Sequence, residues 1–162
     1  MAIAVIYGSS MGNTETAAEK IAKALGGIDC LNIADIDSDK INGYDKLICG
    51  TSTWGSGDMQ DDWDSFDFGS LNLSGKTVAV FGMGDSSSYS DTFCGGMGKL
   101  ANVLKEAGAT LVGEVSTSGY DFEDSEAVVD GKFVGLALDN DNQEDMTDDR
   151  INNWVELIKA HF

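Results

Sequence analysis

The chain has 162 residues, 28 acids against 10 bases, and no proline. That length suits one compact domain, residues 1–162, and 42% hydrophobic with 23% charged residues is the composition of a folded chain, not a disordered one. A formal net charge of −18 argues against a nucleic acid or an anionic membrane as partner, since both would repel it, and favours a basic protein surface or a cation.

Ile3 to Tyr7 is a continuous apolar run stopped by Gly8, as expected of a strand buried on both faces. It lacks a basic leader and ends too soon for a signal peptide, and no later run reaches membrane-spanning length, so the expected compartment is the cytoplasm. Ala17, Ala18, Ile21, Ala22 and Leu25 follow at helical spacing until Gly26-Gly27. Ile28 to Ile33 reads as a second strand, Leu47-Ile48-Cys49 as the centre of a third, and Val78 to Phe81 as a fourth. A helix around Leu100, Val103, Leu104 and Ala107 ends at Gly108, and Leu111-Val112 begins a fifth strand. The last helix takes Thr147 as N-cap, with Ile151, Trp154, Val155 and Ile158 on one face. Such alternation predicts an α/β fold, a doubly wound parallel sheet with right-handed crossovers. Between Ser116 and Thr147 an acidic stretch with an apolar island, Phe133 to Leu138, interrupts the rhythm and reads as an insertion in or beside the fifth strand.

Several chemistries are excluded. The one histidine, His161, sits beside the C-terminus, so histidine triads and multi-histidine metal sites are ruled out. Three dispersed cysteines form neither a disulfide framework nor a zinc pattern. A single arginine, Arg150, cannot build an arginine clamp, so the chemistry is expected to come from a cofactor. Gly96-Met97-Gly98-Lys99-Leu100-Ala101 matches a loose dinucleotide fingerprint but follows no strand. Asp139 to Glu144 has an acidic spacing like a calcium loop, yet Glu144 stands where the glycine belongs, and a solvated acidic loop is the better reading.

Ligands of a doubly wound sheet bind at the carboxyl ends of its strands. The first strand exits into Gly8-Ser9-Ser10-Met11-Gly12-Asn13-Thr14, which is either a plain strand–helix turn capped by Thr14 or an anion cradle of neutral donors at a helix start. It has no Walker lysine, so a single phosphate fits better than a triphosphate. After the third strand comes Thr51-Ser52-Thr53-Trp54-Gly55-Ser56-Gly57-Asp58, and after the fourth Gly82 to Asp91, each glycine-rich with one aromatic, Trp54 or Tyr89. A planar heterocycle between Trp54 and Tyr89, its phosphate on the first loop, accounts for all three loops together.

This combination resembles flavodoxin along essentially the whole chain. Ser9-Ser10-Met11-Gly12-Asn13-Thr14 is similar to the family's phosphate loop, Thr53-Trp54-Gly55 to its first flavin loop, and Gly84-Asp85 through Tyr89 to its second. Gly135 to Asp139 and Thr147 to Ile151 resemble the long-chain branch, whose insertion splits the fifth strand. The resemblance implies a flavodoxin-like, three-layer, five-stranded parallel sheet in the order 2-1-3-4-5, non-covalent FMN, and a low-potential one-electron carrier rather than an enzyme. It further implies a monomer that docks on redox proteins with basic faces, such as reductases of the flavodoxin/ferredoxin type. Its cofactor-binding positions would be Ser9, Ser10, Met11, Gly12, Asn13, Thr14, Thr53, Trp54, Gly55, Gly57, Met83, Gly84, Asp85, Tyr89, Thr92, Cys94 and Asp141. Trp54 would cover the inner ring face and Tyr89 the outer, with Asp85 accepting from the pyrimidine edge and Cys94 nearby. Met11 departs from the hydroxyl residue usual in that loop. Asp58, Asp61, Asp62, Asp64 and Asp67 past Trp54, and eleven acids against Lys132 between Asp121 and Asp149, serve solubility and docking and oppose full reduction of a nearby flavin. The alternatives are an FMN-dependent NAD(P)H:quinone reductase, which would need an open pocket over the ring, and a colourless scaffold protein. A receiver domain would need acids where Gly8-Ser9 and Gly50-Thr51 stand.

Overall fold

A computed structural model describes residues 2–9, 12–54 and 57–162. The elements that frame the sheet are β1 (Ile3–Gly8), α1 (Asn13–Ala24), β2 (Asp29–Asn32), α2 (Ser38–Asn42), β3 (Lys46–Trp54), β4 (Asp58–Met59), α3 (Asp61–Asp64), β5 (Thr77–Met83), α4 (Gly95–Glu106) and β6 (Thr110–Val112). They are followed by β7 (Val115–Ser116), β8 (Val128–Val129), β9 (Lys132–Phe133), β10 (Leu136–Leu138) and α5 (Asn140–Ile158). β1 pairs in parallel with β2 and β3, and β3 with β5. β5 then carries two partners on its other edge: Thr77–Ala79 pair with β6 and Phe81–Met83 with β10. The expected order 2-1-3-4-5 is therefore present, with β5 as fourth strand and β6 plus β10 sharing the fifth position.

Strand alternation sends neighbouring residues to opposite layers. Ala4, Ile6, Leu47, Cys49, Val78 and Val80 face a core closed by Met97, Leu100 and Leu104 of α4, Trp63 of α3 and Phe93. Val5, Ile48, Ala79 and Phe81 face the other layer, where Ala18 and Ile21 of α1 meet Ile151, Trp154 and Val155 of α5. Both layers exclude water from the central strands, which is why those strands read as unbroken apolar runs. Gly26-Gly27 ends α1 as expected: the positive φ of Gly26 turns the Gly27 N–H back to Ala22 O at 2.9 Å. No helix among the described residues is long and apolar enough to cross a membrane.

Two expectations need correction. Thr147 is not the cap of the last helix. Asp139 caps it, accepting from Asn142 N–H, and α5 begins at Asn140 with non-helical dihedrals at Gln143. The Thr147 hydroxyl donates to Asn140 Oδ1 from inside the helix. Trp54 is not a loop residue either. It is the last residue of β3 and pairs with Asp58 of β4, because the strand runs well past its apolar centre into an antiparallel hairpin.

Candidate functional site

Three loops meet at the carboxyl edge of β1, β3 and β5 around a cleft of about 280 Å³. The first is set by close approach. A Cβ on Gly8 would stand 2.4 Å from Gln60 Oε1 and 2.6 Å from Trp63, so only glycine lets β1 end there. Gly12 takes a φ of 91° and its N–H donates to Ser9 Oγ at 3.0 Å, turning the chain into α1. Among the described residues no side chain caps α1, whose first turn lies beside Ser9, Asn13 and the buried Thr14.

The second loop is clamped onto α4. Thr53 Oγ1 accepts from Gly96 N–H at 3.1 Å, and a Cβ on Gly96 would meet Ser52 O at 2.6 Å. Gly95 lies against Gly57, and a Cβ on Gly98 would meet Glu126 O at 2.6 Å. The glycines of the dinucleotide-like run are thus packing residues within a helix. They bring α4 against the β3–β4 hairpin on one side and the insertion on the other.

The third loop winds around Asp85. Its Oδ1 accepts from Ser87 N–H (3.1 Å), Ser88 N–H (3.0 Å) and Asn142 Nδ2 (2.8 Å), and its carbonyl accepts from Tyr89 N–H. The Ser88 donation, aided by Asn142 and Ser87, holds the Asp85 carboxyl below its ordinary range. Asp141 moves the other way: partial burial and the charges of Asp85 and Asp139 raise it. Burial, with the Asp139 charge, also pushes up the thiol of Cys94, a fully buried residue at φ 52°.

The insertion buttresses this loop from behind. Ser90 O accepts from Glu123 and Asp124 N–H, and Ser125 Oγ donates to Phe93 O. Phe93 packs on Phe122 and Phe133 with ring centroids 5.4 and 5.9 Å apart. Asp130 and Gly131, both at positive φ, turn β8 into β9, and β9 also pairs with β7.

Of the expected binding residues, the structure brings together Ser9, Asn13, Thr14, Thr53, Met83, Gly84, Asp85, Tyr89, Thr92, Cys94 and Asp141 in the cleft wall. Gly12 and Gly57 are not in that wall: Gly12 turns the chain into α1, and Gly57 packs against Gly95. Ser10, Met11 and Gly55 lie outside the described residues, and of Trp54 only the backbone is described, so of the two expected aromatics Tyr89 alone has a described side chain; it is half-exposed. Ser52, Phe93 and Asn140 also line the cleft. Phe93 looks like an ordinary core residue in the sequence, whereas Ser52 and Asn140 adjoin residues that sequence reasoning does select.

No lysine or arginine lines the cleft among the described residues, so an anion there would be held by neutral N–H and O–H donors. Thr92 Oγ1 is buried in the wall with no partner among the described residues. Outside the cleft the acids past Trp54 are mostly exposed, and Lys99 pairs with Asp58 at 3.0 Å, a base the linear sequence does not place there.

Comparison with known proteins completes the picture. The family model for flavodoxin matches residues 5–154. The chain is 45% identical to a flavodoxin of Trichodesmium erythraeum, over 99% of this chain and 97% of that one. It is 42% identical to a flavodoxin of Helicobacter pylori, covering 99% and 98% respectively. A crystal structure of Fusobacterium nucleatum flavodoxin bound to flavin mononucleotide superposes with a TM-score of 0.93 at 29% identity, covering 99% of this chain and 98% of the other.

Proposed function

Because the chain belongs to the flavodoxin family, we propose that it is a low-potential one-electron carrier that binds FMN and shuttles electrons between redox proteins. The observation that carries this reading is the cleft itself. One end offers Ser9, Asn13, Thr14 and the start of α1 to a phosphate. The other offers Thr53, Met83, Gly84, Cys94 and the Tyr89 ring to a flat heterocycle, with the Thr92 hydroxyl lacking a partner among the described residues. Ser10, Met11, Gly12, Trp54, Gly55, Gly57, Asp85 and Asp141 complete the proposed binding set.

When bound, FMN supplies the redox chemistry. The residues of the chain bind it, orient its ring and surround it with negative charge. No cation stands in the described wall to offset electrons added there, and Asp85, Asp139 and Asp141 all lie close by. The same acidic surface suits docking on basic partners. We place the protein in the cytoplasm as a monomer, with residues 1–162 acting as one domain. The quinone-reductase alternative is not favoured, since the relatives that span the whole chain are flavodoxins.

Purified protein should be yellow. Flavin-free protein should take up one FMN, accept electrons singly in an anaerobic titration, and oxidise NADH only when a reductase is added. A colourless protein that takes up no flavin overturns the reading; direct NADH oxidation would favour the quinone reductase.

A further inference from the structure

Asp139 is 1% exposed, and every hydrogen bond that its carboxylate receives comes from a neutral donor. Asn142 Nδ2 reaches both oxygens, but their other donors differ. Oδ1 caps α5 by accepting from Asn142 N–H at 3.2 Å, with Asn142 Nδ2 at 3.0 Å. Oδ2 accepts from both groups of Ser86, the backbone N–H at 3.4 Å and the hydroxyl, with Asn142 Nδ2 at 3.3 Å. A helix cap alone needs neither the second oxygen nor burial, because asparagine or serine caps as well. Burying a carboxylate is costly unless its lone pairs are filled, so a buried Asp139 implies a structure built around that second contact.

The other end of the contact is equally selective. Ser86, Ser87 and Ser88 are consecutive serines, yet only Ser86 is buried, and it is the one turned toward Asp139. Asn142 Nδ2 ties the same junction to Asp85 Oδ1 at 2.8 Å, and Leu138 O accepts from Gly84 N–H at 2.9 Å. Beyond Ser86 the loop is held by local bonds to Asp85 and, past Tyr89, by the insertion's bonds to Ser90, so Ser86 is the pin on the Asp85 side of the half-exposed Tyr89 ring. The direction of that ring therefore depends on where the loop backbone is pinned.

We propose that Asp139 is a positioning residue for the flavin ring: through Ser86 it clasps the loop from Asp85 to Tyr89 to the start of α5. The assignment rests on the FMN-binding reading above. Asp139→Asn keeps the cap oxygen but replaces Oδ2 with an amide that cannot accept from Ser86. Ser86→Ala removes the hydroxyl, and Ser86→Thr retains it.

The test measures dissociation constants for FMN and for riboflavin, the visible circular dichroism of the bound flavin, and the thermal midpoint of each variant. Asp139→Asn and Ser86→Ala should weaken both ligands by the same factor, about five-fold to twenty-fold, because the phosphate end is untouched. Both should change the flavin dichroism. The double variant should be no worse than Asp139→Asn alone, as expected of two halves of one contact, and Ser86→Thr should behave as wild type. Unchanged affinity and dichroism, even with a lowered thermal midpoint, overturn the proposal, as do additive losses. Wild-type protein that binds neither ligand overturns the functional reading and this assignment together, whereas normal wild-type binding with unaffected variants overturns the assignment alone.

Discussion

The guanidinium carbon of Arg150 lies 3.9 Å from the centre of the Tyr120 ring, and its Nη2 donates to Gly119 O at 3.0 Å. The chain's one arginine thus fastens the insertion to α5. Tyr120 in turn donates to Ala137 O at 2.6 Å, and burial pushes its phenol up to about 12, so it remains a donor across the working pH range.

Arg150→Ala should lower the stability of the flavin-free protein by about 2–4 kcal/mol, the sum expected for one cation–π contact and one charged hydrogen bond. Arg150→Lys should recover only part of this, since an ammonium cannot stack flat while donating to Gly119. Urea denaturation of the three proteins measures the difference. A lysine variant as stable as wild type would contradict the stacking argument.

Gly98→Ala sets two effects against each other. Alanine favours a helix by about 1 kcal/mol, but its Cβ would stand 2.6 Å from the backbone of Glu126. Overpacking against backbone costs about 1–3 kcal/mol, so the substitution should destabilise on balance. Gly43→Ala is the control, because its nearest contact is Lys40 O at 3.4 Å and its φ is −77°. It should be neutral or slightly stabilising in the same thermal scan.

Asp85 and Asp141 should respond to acid with opposite signs. The folded state holds Asp85 below its unfolded value, so its contribution is present above about pH 4 and is lost as pH falls through the folded value. The folded state raises Asp141, so its ionisation opposes folding once pH rises through that value. Asp85→Asn should therefore destabilise the flavin-free protein at pH 7, and Asp141→Asn should stabilise it. Both differences should shrink toward about pH 3.5, where unfolded carboxylates are largely protonated. Urea midpoints at the two pH values decide the signs.

Thr14→Ala should separate the two ends of the cleft. Removing one hydroxyl donor to a phosphate costs about 1.5–3 kcal/mol, so FMN affinity should fall by roughly tenfold or more while riboflavin affinity holds. An equal loss for both flavins would place Thr14 against the ring instead.

Much of this was legible because the local signals agreed with the global fold. Buried runs such as Val78 to Phe81, spaced between helical patterns, read as central parallel strands, and Gly26-Gly27 after a helical pattern reads as its stop. What stayed hidden was written in long-range partnership. The Asp139 cap bond to Asn142 is local, but what buries Asp139 there is Ser86, 53 residues earlier, so by local pattern alone Thr147 to Asp149 reads as the better helix start. Trp54 was misread as a loop residue because β4 is too short to show alternation. The β8–β9 hairpin did carry a readable sign, Asp130-Gly131 between two short apolar runs. Phe93 could not be identified as a cleft residue, since its aromatic partners come from the insertion.

The split fifth strand has a consequence for engineering. Val112 sits opposite Ala79 and Leu136 opposite Phe81, so the chain leaves the ladder and rejoins it with only Val80 between the two rungs. The sheet therefore does not register the length of the detour, and closing a longer one costs only about 0.6 kcal/mol per doubling of its length. At the far end of that detour Asp130 and Gly131 are exposed, and Gly131 faces open space. A peptide tag or small domain spliced between them would hang from the hairpin tip, leaving both ladder junctions and the cleft they frame in place.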